Sequence, residues 1–313
     1  MPAARPTTFE VRVPASSANL GAGFDCLAVA LQLYLTVRAK ILSKPGAQTF
    51  IHSSGVQGSA LLPTAAEQNL ILRAMRLAAE REGFELPPVR LDVKNEIPIA
   101  AGLGSSAAAI AAGVALGFAL GRRKFDLERA LRYAVELEGH ADNVAAAFLG
   151  GLVVTLVQAG GAIVALRKSW PKNLRVIAIT PALSLETAAS RSVLPIIVPH
   201  GDAVHNLQRS ALFVAALEER RFDLLRDAMQ DRLHQSHRQP LIPGLADILA
   251  MPPMPGLAGV ALSGSGPTVL ALATGHFDEI GKAIATRFKS HGLTSTIRKL
   301  SVSPSGLTLT PRR

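Results

Sequence analysis

At 313 residues the chain is too long for one small domain, and its length favours two. Hydrophobic residues at 49% exclude intrinsic disorder, and aromatics at 4% supply little for a platform that would stack single-stranded nucleic acid. The formal charge of +10 favours anionic partners, but it is scattered, with no Lys/Arg run longer than Arg122-Arg123-Lys124, so nucleic acid is not expected as a partner.

The sole cysteine, Cys26, excludes an intrachain disulfide. The first ten residues contain no apolar run of the signal-peptide kind. Ala107 to Leu120 is the longest apolar stretch, broken by Gly113 and Gly117, and falls short of the roughly 20 residues a membrane span needs. Together these features predict a cytoplasmic protein with no membrane partner.

Phe9 to Val13 alternates and stops at Pro14, which predicts a strand followed by a Ser/Asn/Gly-rich loop over Ala15 to Asp25. Leu27 to Ile41 reads as further strand, and Ser43 to Pro63 as a turn-rich connection. Helical spacing runs from Asn69 to Gly83, and Val89 to Val93 alternates again. Helices are expected over Ser105 to Leu120, over Asp126 to Glu138 with Asp126 as N-cap, and over Asp142 to Phe148. Leu152 to Val157 and Ala162 to Leu166 form an expected hairpin.

A linker is expected near Lys168 to Asn173, then a buried strand over Leu174 to Thr180. Val204 to Glu219 and Phe222 to His234 are predicted helices. Leu257 to Leu262 and Thr268 to Ala273 read as strands around a Gly-Ser loop, followed by a helix over Phe277 to Ser290 and a strand over Thr294 to Val302. Strands and helices lack a regular βαβ rhythm, so two α+β domains are expected, residues 1–165 and 166–313.

Two segments carry chemistry. Gly102, Gly104, Ser105 and Ser106 directly precede an Ala-rich helix. Such a helix start presents free N–H groups and the positive end of the dipole, which suits phosphate. The run Gly102 to Ala107 formally fits the dinucleotide pattern G-x-G-x-x-G/A, but Glu96-Ile97-Pro98-Ile99-Ala100 separates it from the preceding strand. Walker A and nucleophile-elbow patterns do not occur. A Ser-capped helix start is the purely structural alternative. The second segment, Glu136 to Asn143, concentrates Glu136, Glu138, His140, Asp142 and Asn143 beside an apolar run. One glutamate plus a loop serine would suit Mg²⁺, which prefers carboxylate oxygen; helix capping explains the same residues equally well.

Pro14-Ala-Ser-Ser-Ala-Asn19-Leu-Gly-Ala-Gly-Phe-Asp25 resembles the first motif of the GHMP small-molecule kinases, in the form found in homoserine kinases. Ile97 to Ala108 is similar to the family's ATP loop, Leu262 to Thr268 to its third Gly-rich motif, and Glu138 to Val144 to an E-G-H-x-D-N-V segment. The four motifs stand in the family's order and the resemblance runs from about residue 10 to 300.

The resemblance implies an α+β two-domain fold, with a ribosomal S5 domain 2-like N-terminal domain and a ferredoxin-like C-terminal one. It implies phosphorylation of L-homoserine by ATP with Mg²⁺, a step toward threonine. Pro98, Ile99, Ala100, Ala101, Gly102, Leu103, Gly104, Ser105, Ser106, Ala107 and Ala108 would form the ATP loop, with Asn69 at the nucleotide. Ser106 and Glu136 match the metal ligands, with Glu138 as the rival. Asn19 and Asp25 would take the substrate ammonium, Arg191 and Arg238 its carboxylate, and His140 and Asn143 its hydroxyl end. Thr187 and Asn143 would assist transfer without a strong side-chain base. A homodimer is the family's expectation. One departure is the run Val144-Ala-Ala-Ala147, where many relatives carry proline.

Overall fold

The computed structural model describes residues 7–44, 47–55 and 67–312. The first half builds a sheet from β1 (Thr8–Asn19), β2 (Gly23–Ile41), β3 (Phe50–Gly55), β4 (Val89–Asn95), β5 (Leu152–Val157) and β6 (Ile163–Lys168). Its helices are α1 (Leu70–Arg81), α2 (Ser105–Leu120), α3 (Leu127–Glu138) and α4 (Asp142–Leu149). The second half contains β7 (Arg175–Pro181), α5 (Thr187–Ser192), α6 (His200–Glu218), α7 (Leu225–Ala228), α8 (Gln235–Arg238), α9 (Leu245–Leu249), β8 (Leu257–Leu262), β9 (Val269–Ala273), α10 (Phe277–Ser290), β10 (Ser295–Leu300) and β11 (Thr308–Arg312). No helix among the described residues is long and apolar enough to cross a membrane.

The first sheet runs β11-β1-β2-β4-β3, with β5 also on β2 and β6 on β5. The long β2 serves two partners in turn: Leu27–Val29 pair with β5 and Leu35–Ile41 with β4. The crossover through α1 makes β3 and β4 parallel; the remaining pairs are antiparallel. The second sheet runs β10-β7-β9-β8, all antiparallel, the order of a ferredoxin-like domain.

Four expectations change. Strand β1 does not stop at Pro14 but continues to Asn19 through a register shift between Pro14 and Ala15. Past Arg12 the β11 pairing has ended, so Pro14 lies on a free edge where its missing N–H leaves no ladder bond unmade. The predicted helix Phe222–His234 breaks after Ala228, and Asp231 gathers the N–H groups of Leu233, His234 and Gln235 instead. The expected division at 165/166 falls inside β6, and β11 returns to the first sheet, so the first domain contains both ends of the described chain. The expected Ser43 to Pro63 connection contains β3, and residues 45–46 and 56–63 of it lie outside the described residues.

Helix α2 is apolar around its whole circumference and is buried accordingly. Small residues let its neighbours approach. A Cβ on Gly113 would come within 2.2 Å of the Ile71 carbonyl oxygen, and one on Gly117 within 2.6 Å of Ala78 Cβ. One continuous core joins this layer to Val176, Ala178, Phe213 and Leu270 of the second half, so the halves pack as one body. A second core lies between the smaller sheet and α9 and α10.

Gly113→Ala tests this packing. Helix propensity alone would favour Ala by about 1 kcal/mol. The obstacle is α1 backbone, which cannot rotate away, so net destabilisation of about 1–3 kcal/mol is expected. A urea titration with an unchanged slope and a lower midpoint would show it; a raised midpoint would refute the packing argument.

Candidate active site

An open cleft lies where the two halves meet. Its floor is the glycine-serine loop. Gly104, with φ +69°, is the N-cap of α2, and no side chain caps that helix. The Ser-capped alternative therefore fails, and the first amides of a 16-residue helix are left to an anion.

The loop is pinned from several sides. Ser16 N–H donates to the Leu103 carbonyl at 3.1 Å, Thr268 N–H to Ala101 at 3.2 Å, and Leu185 N–H to Ala100 at 3.2 Å. Ser263 Oγ donates to the Gly102 carbonyl at 2.6 Å. These contacts need glycine: a Cβ on Gly102 would stand 2.2 Å from the Ser263 carbonyl oxygen, and one on Gly104 would stand 2.1 Å from Ser16 Oγ. Pro98, Ala100, Ala101, Gly102, Leu103, Gly104, Ser105 and Ser106 line the cleft. Ile99 does not, and Ala107 and Ala108 are buried in the core.

Ser106 Oγ donates to Glu138 Oε2 at 2.6 Å. Glu136, the expected metal ligand, lies elsewhere: it is exposed and pairs with Arg81 at 2.7 Å. Two residues along a helix turn the side chain by about 200°, so only one glutamate of Glu136-Leu-Glu138 can face the cleft. Burial raises the Glu138 carboxyl above its ordinary pKa, against the hydrogen bond from Ser106 and the nearby His140. A largely buried carboxylate and a hydroxyl at one point are oxygen donors that fit Mg²⁺. No cluster of three or more His, Cys, Asp or Glu suited to a metal occurs among the described residues. Mg²⁺ needs none, since it takes one or two protein oxygens beside phosphate and water.

Asp142, 1% exposed, organises the adjoining wall. Its Oδ1 accepts from His140 Nδ1 at 2.8 Å and from the Asn143 N–H at 2.6 Å. Burial opposes charge on His140, but Asp142 and Glu138 outweigh it and raise the imidazole pKa. Asn143 Oδ1 accepts from Ser16 Oγ at 2.9 Å, which turns the amide nitrogen toward the cleft.

Opposite stand the charged residues. Arg191 grips Asp25 with two bonds, at 2.6 and 3.1 Å. Asn19 Oδ1 accepts from the Asp25 N–H at 3.1 Å, and Asn19 Nδ2 donates to the Gly264 carbonyl at 3.0 Å. Arg238 is 1% exposed. It donates to the Ser190 carbonyl, the Gly264 carbonyl and His234 Nδ1, and no carboxylate among the described residues forms an ion pair with it. Burial and the neighbouring Arg191 pull its pKa down to about 10, so it remains charged at neutral pH. Thr187 completes this side, 3.4 Å from Ser265 Oγ.

Of the expected site residues, Asn69 stands apart: its side chain caps α1 by accepting from the Leu72 N–H at 3.1 Å, and it does not line the cleft. Asp142, Leu185, Gly264 and Ser265 also line the cleft, beyond the expected site residues. The last two lie inside the third Gly-rich motif, whose presence in the chain was the available signal.

Residues 69–151 match the family model for the GHMP kinases N terminal domain, and residues 213–290 that for the GHMP kinases C terminal domain. The chain is 40% identical to a homoserine kinase of Desulfitobacterium hafniense over 95% of this chain and 98% of that one. It is 48% identical to a homoserine kinase of Deinococcus radiodurans, over 85% and 84%. The crystal structure of homoserine kinase from Cytophaga hutchinsonii superposes with a TM-score of 0.83 at 29% identity, covering 98% of each chain. A Leishmania major mevalonate kinase (TM-score 0.65, 16% identity, 97% of each chain) shares the fold. The chain is a kinase of the GHMP family and belongs to its homoserine kinase branch.

Proposed function

We propose that the cleft transfers the γ-phosphoryl group of ATP to the hydroxyl of L-homoserine, yielding O-phospho-L-homoserine and ADP. The observation that carries this reading is Arg238: a buried cation without an ion-pair partner among the described residues, in a cleft that also holds an Asp25–Arg191 pair. A buried charge without a counter-ion is costly, so the site calls for an anionic ligand. A substrate carboxylate between Arg238 and Arg191 supplies it. The ammonium of the same amino acid then faces Asp25 and Asn19, which a sugar or mevalonate would leave unused.

The substrate hydroxyl falls toward Asn143 and His140. In the transfer, the hydroxyl oxygen bonds the γ-phosphorus as the bond to the β–γ bridging oxygen breaks, and the hydroxyl proton is released. A loose phosphoryl-transfer transition state asks mainly for alignment and charge neutralisation. The α2 amides and Ser105 would hold the phosphates. Ser106 and Glu138 would hold Mg²⁺, which neutralises phosphate charge when bound. Asn143 cannot accept a proton and Asp142 Oδ1 is committed to His140 and Asn143; the reading therefore has the transfer proceed without a strong side-chain base, as a loose transition state allows. Thr187 would donate its hydroxyl hydrogen to the transferring group.

An ADP-release assay over L-homoserine, D-homoserine, L-threonine, mevalonate and galactose should respond to L-homoserine foremost; a stronger response to mevalonate or galactose would overturn the reading. Arg191→Ala should raise the KM for L-homoserine by about 10- to 100-fold, the worth of hydrogen bonds to charged groups, and leave the KM for ATP nearly constant. Glu138→Gln should lower kcat/KM by about 100-fold or more, whereas Glu136→Gln, which loses only a surface pair, should change it less than about twofold. The reverse ranking of the two glutamates would reject the metal assignment.

A further inference from the structure

His234 lies outside every role assigned so far, yet it is fully buried behind the substrate cleft. Its Nε2 is 2.9 Å from the Gly21 carbonyl oxygen. Its Nδ1 is 3.0 Å from Arg238 Nη1. A carbonyl only accepts and a guanidinium only donates, so the ring must carry its proton on Nε2 and offer a lone pair on Nδ1. Burial holds the imidazole pKa below its ordinary value, against Asp231, 3.7 Å away, and with the help of Arg238. Asp231 is occupied by three backbone N–H groups and by Asn206 Nδ2.

The two bonds define a link. At one end is Gly21, in the turn between Asn19 and Asp25. At the other is Arg238, whose Nε is held by the Ser190 carbonyl and whose second Nη1 hydrogen is held by the Gly264 carbonyl. Gly264 also accepts from Asn19. The Phe24 ring stacks on His234 at 5.2 Å, and the Arg191 and Arg238 guanidiniums lie 5.6 and 5.7 Å from its centre. Three of the five Arg238 N–H groups are thereby anchored, which leaves the Nη2 pair for a ligand.

We infer that His234 is a positioning residue for the substrate: it holds the carboxylate-binding Arg238 in register with the turn that carries the ammonium-binding Asn19 and Asp25. The separation of ammonium and carboxylate in an α-amino acid is fixed, so the two binding groups must be fixed as well. A histidine in this tautomer donates to one side and accepts from the other, which an apolar residue of the same size cannot do. The inference rests on the reading of Arg238 as the carboxylate ligand.

The test compares His234→Asn and His234→Gln with Arg238→Gln in steady-state kinetics for both substrates, with thermal melting of each variant. The Asn amide can place its oxygen where Nδ1 stands and still accept from Arg238; the Gln amide reaches only the place of Nε2. His234→Gln should raise the KM for L-homoserine about 10-fold, with kcat and the KM for ATP within about threefold of wild type. His234→Asn keeps the Arg238 bond but loses the one to Gly21, so it too should raise the KM for L-homoserine, by about 3- to 10-fold, with kcat and the KM for ATP within about threefold of wild type. Equal losses for ATP and homoserine in both His234 variants would mean packing alone and would overturn the inference. An unchanged homoserine KM in His234→Gln, with a raised one in Arg238→Gln, would overturn it too. An unchanged homoserine KM in Arg238→Gln would instead remove the carboxylate reading beneath it.

Discussion

The buried hydroxyl of Ser263 is the point on which the site depends. It lies 2.6 Å from the Gly102 carbonyl and 2.8 Å from Ser17 Oγ. Ser263 Oγ faces both as donor, sharing its one proton between the Gly102 carbonyl and Ser17 Oγ. One side chain thus joins the three glycine- and serine-rich motifs: Ser17 from the first, Gly102 from the second, and Ser263 from the third. Two of these motifs belong to the first half of the molecule and one to the second. No water reaches this contact to replace a lost partner, because Ser17 and Ser263 are both 0% exposed. A misfit would leave buried polar groups unpaired, which is far more costly than the bonds are worth when made.

Much of the site was legible because small residues are forced by close approach. Gly102, Gly104 and the serines around them sit where backbones touch, and few other residues fit. The same cannot be said of Glu136 and Glu138. Both occur at the acidic end of one helix, and the choice between them is a matter of helical phase. A signal was present: Ala130 and Ala134 are buried, and the next residue on that stripe is 138. The buried Asp142 was harder to read, since an Asp opening a helix is usually a surface cap.

The fold was legible in its elements and less so in their joins. Period-2 and helical patterns located most strands and helices. Pro14 was misleading because a strand edge cannot be recognised before the partner strands are known. The break after Ala228 was hidden for a different reason: Asp231 replaces helix bonds with side-chain ones, and its four partners, three of them backbone, meet only in the folded chain. The return of β11 to β1 could not be inferred from a short polar strand at the end of the chain.

These joins matter to the chemistry. Asn19, Asp25, Ser106 and Glu138 come from the first half, while Thr187, Arg191 and Arg238 come from the second. Neither half carries a complete set of charges for a zwitterion. Arg238 in particular is unfavourable by itself, a cation buried against carbonyls and a neutral imidazole. The folded chain can keep it there because the continuous core and the β1–β11 pairing hold the halves together before any ligand arrives. The cost of placing that charge is met during folding. On the proposed reading, an incoming carboxylate would therefore meet a guanidinium already desolvated and oriented, and gain from a field that needs no rearrangement to act.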